Sequence, residues 1–151
     1  MKITLCGSIA FYPEMTEIKN KLETAGHEVK LPPTKIKDGK GNLITVEEYY
    51  EIRKSAPASE KWVWDQKSRS INEHFAKEEW ADAILVTNFD KKNISGYIGG
   101  NTLMEMGVAF FLKKKIYLLN PIPELSYTEE ILGMNPIIIN GDISKIFALQ
   151  K

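Results

Sequence analysis

The stretch Ala81-Asp82-Ala83-Ile84-Leu85-Val86-Thr87-Asn88, residues 81–88, decides the fold. It is apolar at every position from Ala83 to Val86, and it ends at Asn88, a residue type common where a strand exits into a loop. A strand exposed on one face alternates apolar and polar residues, whereas a strand covered on both faces is continuously apolar. The stretch therefore predicts a central strand, Ala83 to Thr87, in a parallel sheet with helices on both sides.

Shorter apolar runs alternate with helical patterns on either side of this strand. Parallel strands need crossover connections, which are usually helices and right-handed. The pattern predicts an α/β protein, a flavodoxin- or Rossmann-like three-layer sandwich with a five-stranded parallel sheet in the order 2-1-3-4-5. The other predicted strands are residues 3–6, 28–31, 115–119 and 136–139, and the predicted helices are approximately residues 13–25, 46–55, 70–80, 102–112, 127–132 and 144–149.

Local signals mark several ends of these elements. Pro13 opens the first predicted helix and Gly26 closes it, because proline lacks a donor that the first turn does not need and glycine tolerates positive φ. Thr45-Val46-Glu47-Glu48 has the spacing of a capping box, and Ser70-Ile71-Asn72-Glu73 repeats it near the start of the next predicted helix. The Gly- and Lys-rich residues 35–42 predict a turn.

An aromatic segment, Trp62-Val63-Trp64, lies in the predicted long connection between the second and third strands. It is compatible with a lid that stacks on a base, with a subunit interface or with core packing. Core packing is the most common role of such a segment.

The composition indicates one ordinary domain over residues 1–151. Lys and Arg number 20 and Asp and Glu number 20, so the chain lacks the basic surplus that nucleic-acid or anionic-membrane binding needs. Cys6 is the only cysteine, which excludes an intramolecular disulfide and a multi-cysteine metal site. With no signal-peptide or membrane-spanning pattern, we expect a cytoplasmic protein whose partners are small molecules.

The predicted topology places ligands at the carboxyl ends of the strands, between the first and third strands, where the strand order reverses. The loops at this edge are residues 7–12, 88–101 and 120–124. Gly7 and Ser8 can cradle a hydroxyl or phosphate through backbone amides and the serine hydroxyl, or they form only a tight turn. Asn88 and Asp90 follow the third strand, where turn chemistry alone also explains them.

The stretch from Ser95 to Ala109 is rich in glycine and leads into a predicted helix. Its residues Gly99, Gly100 and Asn101 allow close approach of a ligand to the backbone, and the start of a helix favours anions. Glu105 falls in the predicted first turn, where the helix dipole favours an ionised carboxylate. The spacing of Thr102 and Glu105 also fits a capping box, which is the more common role on spacing alone.

Several of these segments together resemble the nucleoside 2-deoxyribosyltransferase superfamily, which includes deoxynucleoside-monophosphate N-hydrolases. The segments are Cys6-Gly7-Ser8-Ile9, residues 81–86, Gly-x-x-x-x-Glu-x-Gly-x-Ala at residues 100–109, and Lys114-Lys115-Ile116. The resemblance implies that Glu105 attacks C1′ of the sugar and that Asp90 contacts the base, with Asn88 beside it reading the base edge. It also implies that Gly107 and Ala109 are small so that this helix packs tightly on the sheet.

Two positions depart from the pattern of the superfamily. Many members carry Asp or Ser six residues before the nucleophile, where this chain has Gly99, so the resemblance does not define the 5′ specificity. Members also tend to have a tyrosine on the first strand that orients the glutamate, whereas Thr4 and Leu5 stand here. Tyr12 or Tyr97 is a candidate substitute.

The sequence therefore predicts an enzyme that cleaves or exchanges the N-glycosidic bond of a nucleoside or nucleoside monophosphate through a glycosyl-enzyme on Glu105. The predicted catalytic residues are Glu105 and Asp90, and the predicted substrate-binding residues are Gly7, Ser8, Asn88, Gly99, Gly100 and Asn101. No cofactor or metal is expected, His74 is expected to be a packed or surface residue, and a homodimer is expected. The alternatives are a nucleotide-sensing module without catalysis and an NAD-type glycohydrolase.

Overall fold

A computed structural model describes residues 1–148 of the chain. Five strands form one parallel sheet, two further strands form a hairpin, and helices surround them. Within residues 1–148, no helix is both long enough and apolar enough to cross a bilayer. The elements are β1 (Lys2–Cys6), α1 (Tyr12–Thr24), β2 (Glu28–Lys30), β3 (Lys35–Lys37), β4 (Leu43–Thr45), α2 (Val46–Ser55), α3 (Lys61–Trp80), β5 (Ala83–Val86), α4 (Gly100–Phe111), β6 (Lys115–Leu118), α5 (Thr128–Gly133), β7 (Ile137–Ile138) and α6 (Ser144–Ala148).

The sheet confirms the predicted topology. Its order is β2-β1-β5-β6-β7, which is 2-1-3-4-5 when its five strands are counted along the chain, and every pair is parallel. β1 pairs with β5 from Ile3 opposite Ala83 to Cys6 opposite Val86. The order reverses between these two strands, so the loops that follow them diverge and leave a crevice at their carboxyl ends.

The two faces of the sheet hold separate cores. Leu85 and its neighbours on one face pack with α1 and α6, whereas Ile84 and Val86 on the other face pack with α4 and α5. Successive side chains of a strand point to opposite faces, so a continuously apolar strand fills both cores. This arrangement confirms the predicted three-layer sandwich. The predicted last helix agrees with α6, except that its residue Leu149 lies outside the described residues.

Helix α3 differs from the prediction, because it begins at Lys61 rather than near Ser70. Ser70 lies inside the helix, where its hydroxyl accepts a hydrogen bond from Gln66 Nε2 at 3.1 Å. Trp62 and Trp64 therefore lie on a helix and not in a lid loop. Trp62 packs against Tyr49, with 6.2 Å between the ring centroids, which agrees with the core-packing alternative.

The stretch between β2 and α2 contains a small hairpin where the sequence predicts only a turn. β3 and β4 pair antiparallel over three residues each, and Asp38 Oδ1 accepts hydrogen bonds from the amides of Lys40 and Asn42 at 2.8 and 2.9 Å. Three residues are too few to show a strand period. The predicted capping box of α2 is present, with reciprocal bonds between Thr45 and Glu48.

The first residue after β1 packs directly against the end of β5. Thr87 donates to the carbonyl of Cys6 from its amide at 2.8 Å and from its hydroxyl at 3.1 Å. A Cβ built at Gly7 would lie 2.3 Å from Thr87 Oγ1, so only glycine fits. At Gly107 a Cβ would meet nothing within 4 Å, so the expectation that close packing requires a glycine there is wrong, although Ala109 is buried as expected.

Replacement of these two glycines tests the close approach. We expect Gly7→Ala to lower the free energy of unfolding by about 1–3 kcal/mol, because Thr87 must shift to relieve the overlap. The matched control Gly107→Ala should be neutral or stabilising by up to about 1 kcal/mol, since alanine favours a helix. Urea unfolding measures both values, and equal effects of the two substitutions would contradict the packing argument.

Candidate active site

A cavity of about 710 Å³ opens at the carboxyl ends of β1 and β5. Its walls come from the loops after these strands, the start of α4, and parts of α2 and α3. The volume is in the range of ligand sites that enclose a molecule of nucleotide size. Of the eight predicted site residues, seven line the cavity: Gly7, Ser8, Asn88, Gly99, Gly100, Asn101 and Glu105.

Glu105 lies deeper in its helix than the sequence suggests. α4 begins at Gly100, with Gly99 at its N-cap position and no side-chain cap, so Glu105 is the sixth helical residue. The predicted capping box with Thr102 and the predicted place in the first turn are therefore wrong. Both errors arise because the helix starts two residues before Thr102.

His74 contacts Glu105 across two helices. Its Nε2 atom lies 3.4 Å from Glu105 Oε1, and the two residues reach each other because α3 and α4 pack side by side. His74 is only 7% exposed, and it lines the cavity together with Glu105. From the sequence, His74 is expected to be a packed or surface residue, and its contact with Glu105 is not predicted. His74 and Glu78 are four residues apart and therefore lie on the same face of α3. This spacing is the sequence signal that could have identified His74 and Glu78 as neighbours.

Glu78 lies behind His74 and is completely buried. The thiol of Cys6 donates to Glu78 Oε1 at 3.8 Å. Burial, and after it the charge of Glu105, raise the pKa of Glu78 to about 8. Burial and the same two carboxyl groups raise the pKa of the Cys6 thiol well above its usual value. Glu78 is therefore largely protonated at neutral pH, and two carboxyl groups can lie close together without two buried charges.

Cationic side chains also line the cavity. Lys91 Nζ donates to Ser8 Oγ at 2.8 Å, and Lys67 Nζ donates to Asn101 Oδ1 at 3.0 Å. Burial, and after it the charge of Arg53, lower the pKa of Lys67 to about 8. The chain carries no net charge, yet these two ammonium groups can attract an anionic ligand into the cavity.

Asn88 and Asp90 hold the loops together. The amide nitrogen of Asn88 donates to the carbonyls of Gly96, Asn120 and Pro121, and its Oδ1 accepts from the amide of Asn120. Asp90 Oδ1 accepts from the amide of Gly96 at 2.9 Å, and Asp90 borders a second hollow rather than the cavity of Glu105. Their predicted contacts with a base stay predictions.

The candidate substitutes for the missing tyrosine do not occupy equivalent places. Tyr97 lines the cavity, and its hydroxyl lies 3.4 Å from Lys92 Nζ, whereas Tyr12 is outside the lining. Thr4, on the first strand, donates to the carbonyl of Lys77 at 2.8 Å. The contact with the glutamate comes instead from His74.

Solved structures resemble this chain, and they include a 2-deoxyribosyltransferase and a CMP N-glycosidase. The 2-deoxyribosyltransferase of Bacillus psychrosaccharolyticus matches with 16% sequence identity and a TM-score of 0.49, over 78% of this chain and 71% of that chain. The CMP N-glycosidase BcmB of Clostridium botulinum matches with 17% identity and a TM-score of 0.50, over 99% of this chain and 98% of that chain. No model of a known protein family and no curated protein matches the sequence.

The match with the Clostridium botulinum structure is the one that establishes the fold, because it spans both chains almost completely. The chain therefore shares the fold of this solved structure, in agreement with the α/β fold that the sequence predicts. At 17% identity this likeness concerns the fold alone.

The raised pKa of Glu78 predicts how stability depends on pH. The folded chain keeps this proton up to about pH 8, whereas a free glutamate loses it near 4.5. The folded state thus binds more protons between these values, and the free energy of unfolding should fall as pH rises through this window. We expect Glu78→Gln to remove this dependence and to be more stable than the original chain at pH 8, by about 2–4 kcal/mol.

Denaturant unfolding at pH 5, 6.5 and 8 measures the effect. Glu79→Gln is the matched control, because it makes the same chemical change one residue away on the exposed side of α3. Parallel pH profiles for the original chain and the two variants would contradict the assignment of the buried proton to Glu78.

Proposed function

We propose that this chain cleaves or exchanges the N-glycosidic bond of a nucleoside or nucleoside monophosphate, with Glu105 as the nucleophile. One observation carries the proposal: the Glu105 carboxyl group contacts a buried histidine at 3.4 Å in the wall of a cavity of nucleotide size. A positioned carboxylate that attacks an anomeric carbon is the nucleophile of retaining glycosidases. The Clostridium botulinum neighbour is named as an N-glycosidase, which agrees with this chemistry.

The reaction proceeds in two displacements. A carboxylate oxygen of Glu105 bonds to C1′ while the bond from C1′ to the base nitrogen breaks and its electron pair leaves with the base. Water or a second base then attacks C1′ and releases the carboxylate. His74 contacts Oε1, so we assign the attack to Oε2. A contact that fixes the rotation of the carboxyl group orients the second oxygen before the substrate arrives.

The departing base needs a proton or a hydrogen bond. Lys67 lines the same cavity, and its pKa of about 8 lets it donate a proton near neutral pH. Asp90, which the resemblance implies for contact with the base, instead bonds to the amide of Gly96 and shapes the loop. We assign proton donation to Lys67 and treat Asp90 as the second candidate.

The 5′ end of the substrate is proposed to face Gly7, Ser8 and Lys91. The Lys91 ammonium group beside the Ser8 hydroxyl offers charge and hydrogen bonds that suit a phosphate better than a free hydroxyl. The Clostridium botulinum neighbour is named as a CMP N-glycosidase, which supports a monophosphate as substrate. Gly99 brings no carboxylate to the cavity, so it does not repel a phosphate.

We also propose that the chain forms a homodimer. Phe111, at the end of α4, is 82% exposed, and Phe110 beside it is also exposed. Exposed large apolar side chains on adjacent positions favour an interface. In the superfamily that the sequence resembles, a neighbouring subunit commonly completes the site.

Replacement of the nucleophile tests the proposal. The purified chain is incubated with nucleosides, their 2-deoxy forms, the monophosphates of both and NAD, and free base is measured. We expect release of base from nucleoside monophosphates, and Glu105→Gln should lower the rate by at least about 1,000-fold, because an amide cannot form the ester. Rapid acid quenching and mass spectrometry should detect one sugar on Glu105 during turnover.

Glu47→Gln is the matched control, because Glu47 also lines the cavity but has no contact with His74 in the described residues. It should keep most of the activity. Full activity of Glu105→Gln at unchanged melting would contradict the mechanism. Binding of nucleotides without any turnover would favour the sensing module, and release of nicotinamide alone would favour an NAD-type glycohydrolase.

The leaving base distinguishes Lys67 from Asp90. A 7-methylguanine nucleotide carries a charged base that departs without a proton, so it should be insensitive to loss of the acid. We expect Lys67→Gln to slow ordinary substrates by about 100-fold or more and the methylated substrate much less. Asp90→Asn should slow both to the same degree, and the activity of the original chain should fall above about pH 8. The reverse pattern for the two variants would transfer the role to Asp90.

A further inference from the structure

Four side chains that can ligate a metal converge beneath the cavity. Cys6, His74, Glu78 and Glu105 each offer one ligand atom, and these atoms all lie within 4.8 Å of one another. Cys6 comes from β1, the middle two from α3 and Glu105 from α4. The first three are buried, and Glu105 is partly buried where the cavity reaches the cluster.

The spacing of these atoms approaches a tetrahedron. Zinc lies about 2.3 Å from a cysteine sulfur and about 2.0–2.2 Å from histidine nitrogen or carboxylate oxygen, so two ligand atoms in a tetrahedral site are about 3.3–3.6 Å apart. Cys6 Sγ is 3.8 Å from Glu78 Oε1, and His74 Nε2 is 3.4 Å from Glu105 Oε1. Two opposite edges of the cluster are thus close to the required length, and the other ligand atoms also lie within 4.8 Å of one another.

Two atoms of the cluster also lack a hydrogen-bond partner. Among residues 1–148, His74 Nε2 and Glu78 Oε2 are buried without one. The 3.4 Å approach between His74 Nε2 and Glu105 Oε1 does not qualify as a hydrogen bond. Buried polar atoms are normally satisfied, because an unmet group retains its full desolvation cost. A cation at the centre of the cluster would give His74 Nε2 a partner and draw in the carboxylates.

We propose that Cys6, His74, Glu78 and Glu105 form a binding site for a borderline divalent cation of the Zn²⁺ class. Thiolate and imidazole ligands favour such ions over Mg²⁺ and Ca²⁺, which prefer oxygen ligands alone. Coordination needs the thiolate and both carboxylates, so the protons of Cys6 and Glu78 pass to solvent as the ion enters. The ion reaches the site through the cavity, past His74 and Glu105.

The bound ion changes the state of Glu105. A carboxylate that ligates a cation gives up electron density to it and has a fixed orientation toward it, so it no longer attacks C1′. The metal-bound chain is therefore inactive, and removal of the ion restores the nucleophile. Only this consequence depends on the proposed function; binding of the ion does not.

Cobalt and zinc binding to the whole chain test the site. Co²⁺ reports a cysteine ligand by a thiolate-to-metal band in the near ultraviolet, and it reports four-coordination by intense visible bands. We expect one Co²⁺ per chain with both features, displaced by one equivalent of Zn²⁺. Cys6→Ser should lose the ultraviolet band. By calorimetry, Glu78→Gln should weaken Zn²⁺ binding by at least about 100-fold, since even outer-shell partners contribute 10–100-fold.

Glu79→Gln is the matched control and should bind Zn²⁺ like the original chain. Glu78→Gln is expected to fold, because it replaces a buried carboxyl group with a neutral amide of the same shape. A loss of Zn²⁺ binding in this variant therefore reports the loss of a ligand and not unfolding. Equal Zn²⁺ affinity in these two variants, or Co²⁺ binding without the thiolate band, would overturn the site. Base release is assayed on the metal-free chain and the band on the same chain after addition of Co²⁺. A chain that shows the band but releases no base when it is free of metal would support the metal site and contradict the proposed function. A chain that releases base when it is free of metal but shows no band with Co²⁺ would do the opposite.

Discussion

The parallel pairing of β1 with β5 is the constraint on which the rest of the structure depends. It joins segments that are distant in the sequence, with Cys6 opposite Val86, and the amide of Thr87 continues the ladder to the carbonyl of Cys6. Neighbouring strands then extend outward on either side, so the chain must turn away in opposite directions at this edge. The cavity exists because of this divergence. The absence of a side chain at Gly7 lets the two strand ends approach without overlap.

A second constraint is electrostatic and lies directly below the cavity. Burial raises the pKa of Glu78, and Glu105 is close enough that its charge raises this pKa further. Two unpaired carboxylates in such surroundings would oppose folding, because little water is present to screen them. The proton on Glu78 removes one charge. The carboxyl group that remains open to the cavity is Glu105, so burial itself differentiates the two glutamates.

The sequence predicts those parts of the molecule that depend on local pattern. The apolar run from Ala83 and the other apolar runs of the sequence predict the order of the strands in the sheet. The turn-forming residues that follow these runs predict the edge of the sheet where the cavity lies. The start of α3 could not be predicted, since Glu60 at its N-terminus makes no side-chain cap. Ser70 and Glu73 have the spacing of a capping box but lie inside the helix, so they indicated a false start. The hairpin of β3 and β4 was missed because three-residue strands carry no measurable period.

The cluster around Glu105 could not be predicted because it depends on how helices pack. The contact between His74 and Glu105 requires the separation and rotation of α3 and α4, which no periodicity in either helix reveals. The charges of the proposed metal ligands in this cluster nevertheless follow a simple rule. Cys6, Glu78 and Glu105 become anions when they lose protons, and a buried group of anions needs positive charge nearby. A proton on Glu78 meets this need while leaving Glu105 free, whereas a metal ion meets it by binding Glu105. The same burial that distinguishes Glu105 from Glu78 would therefore also make the proposed nucleophile sensitive to which cation is present.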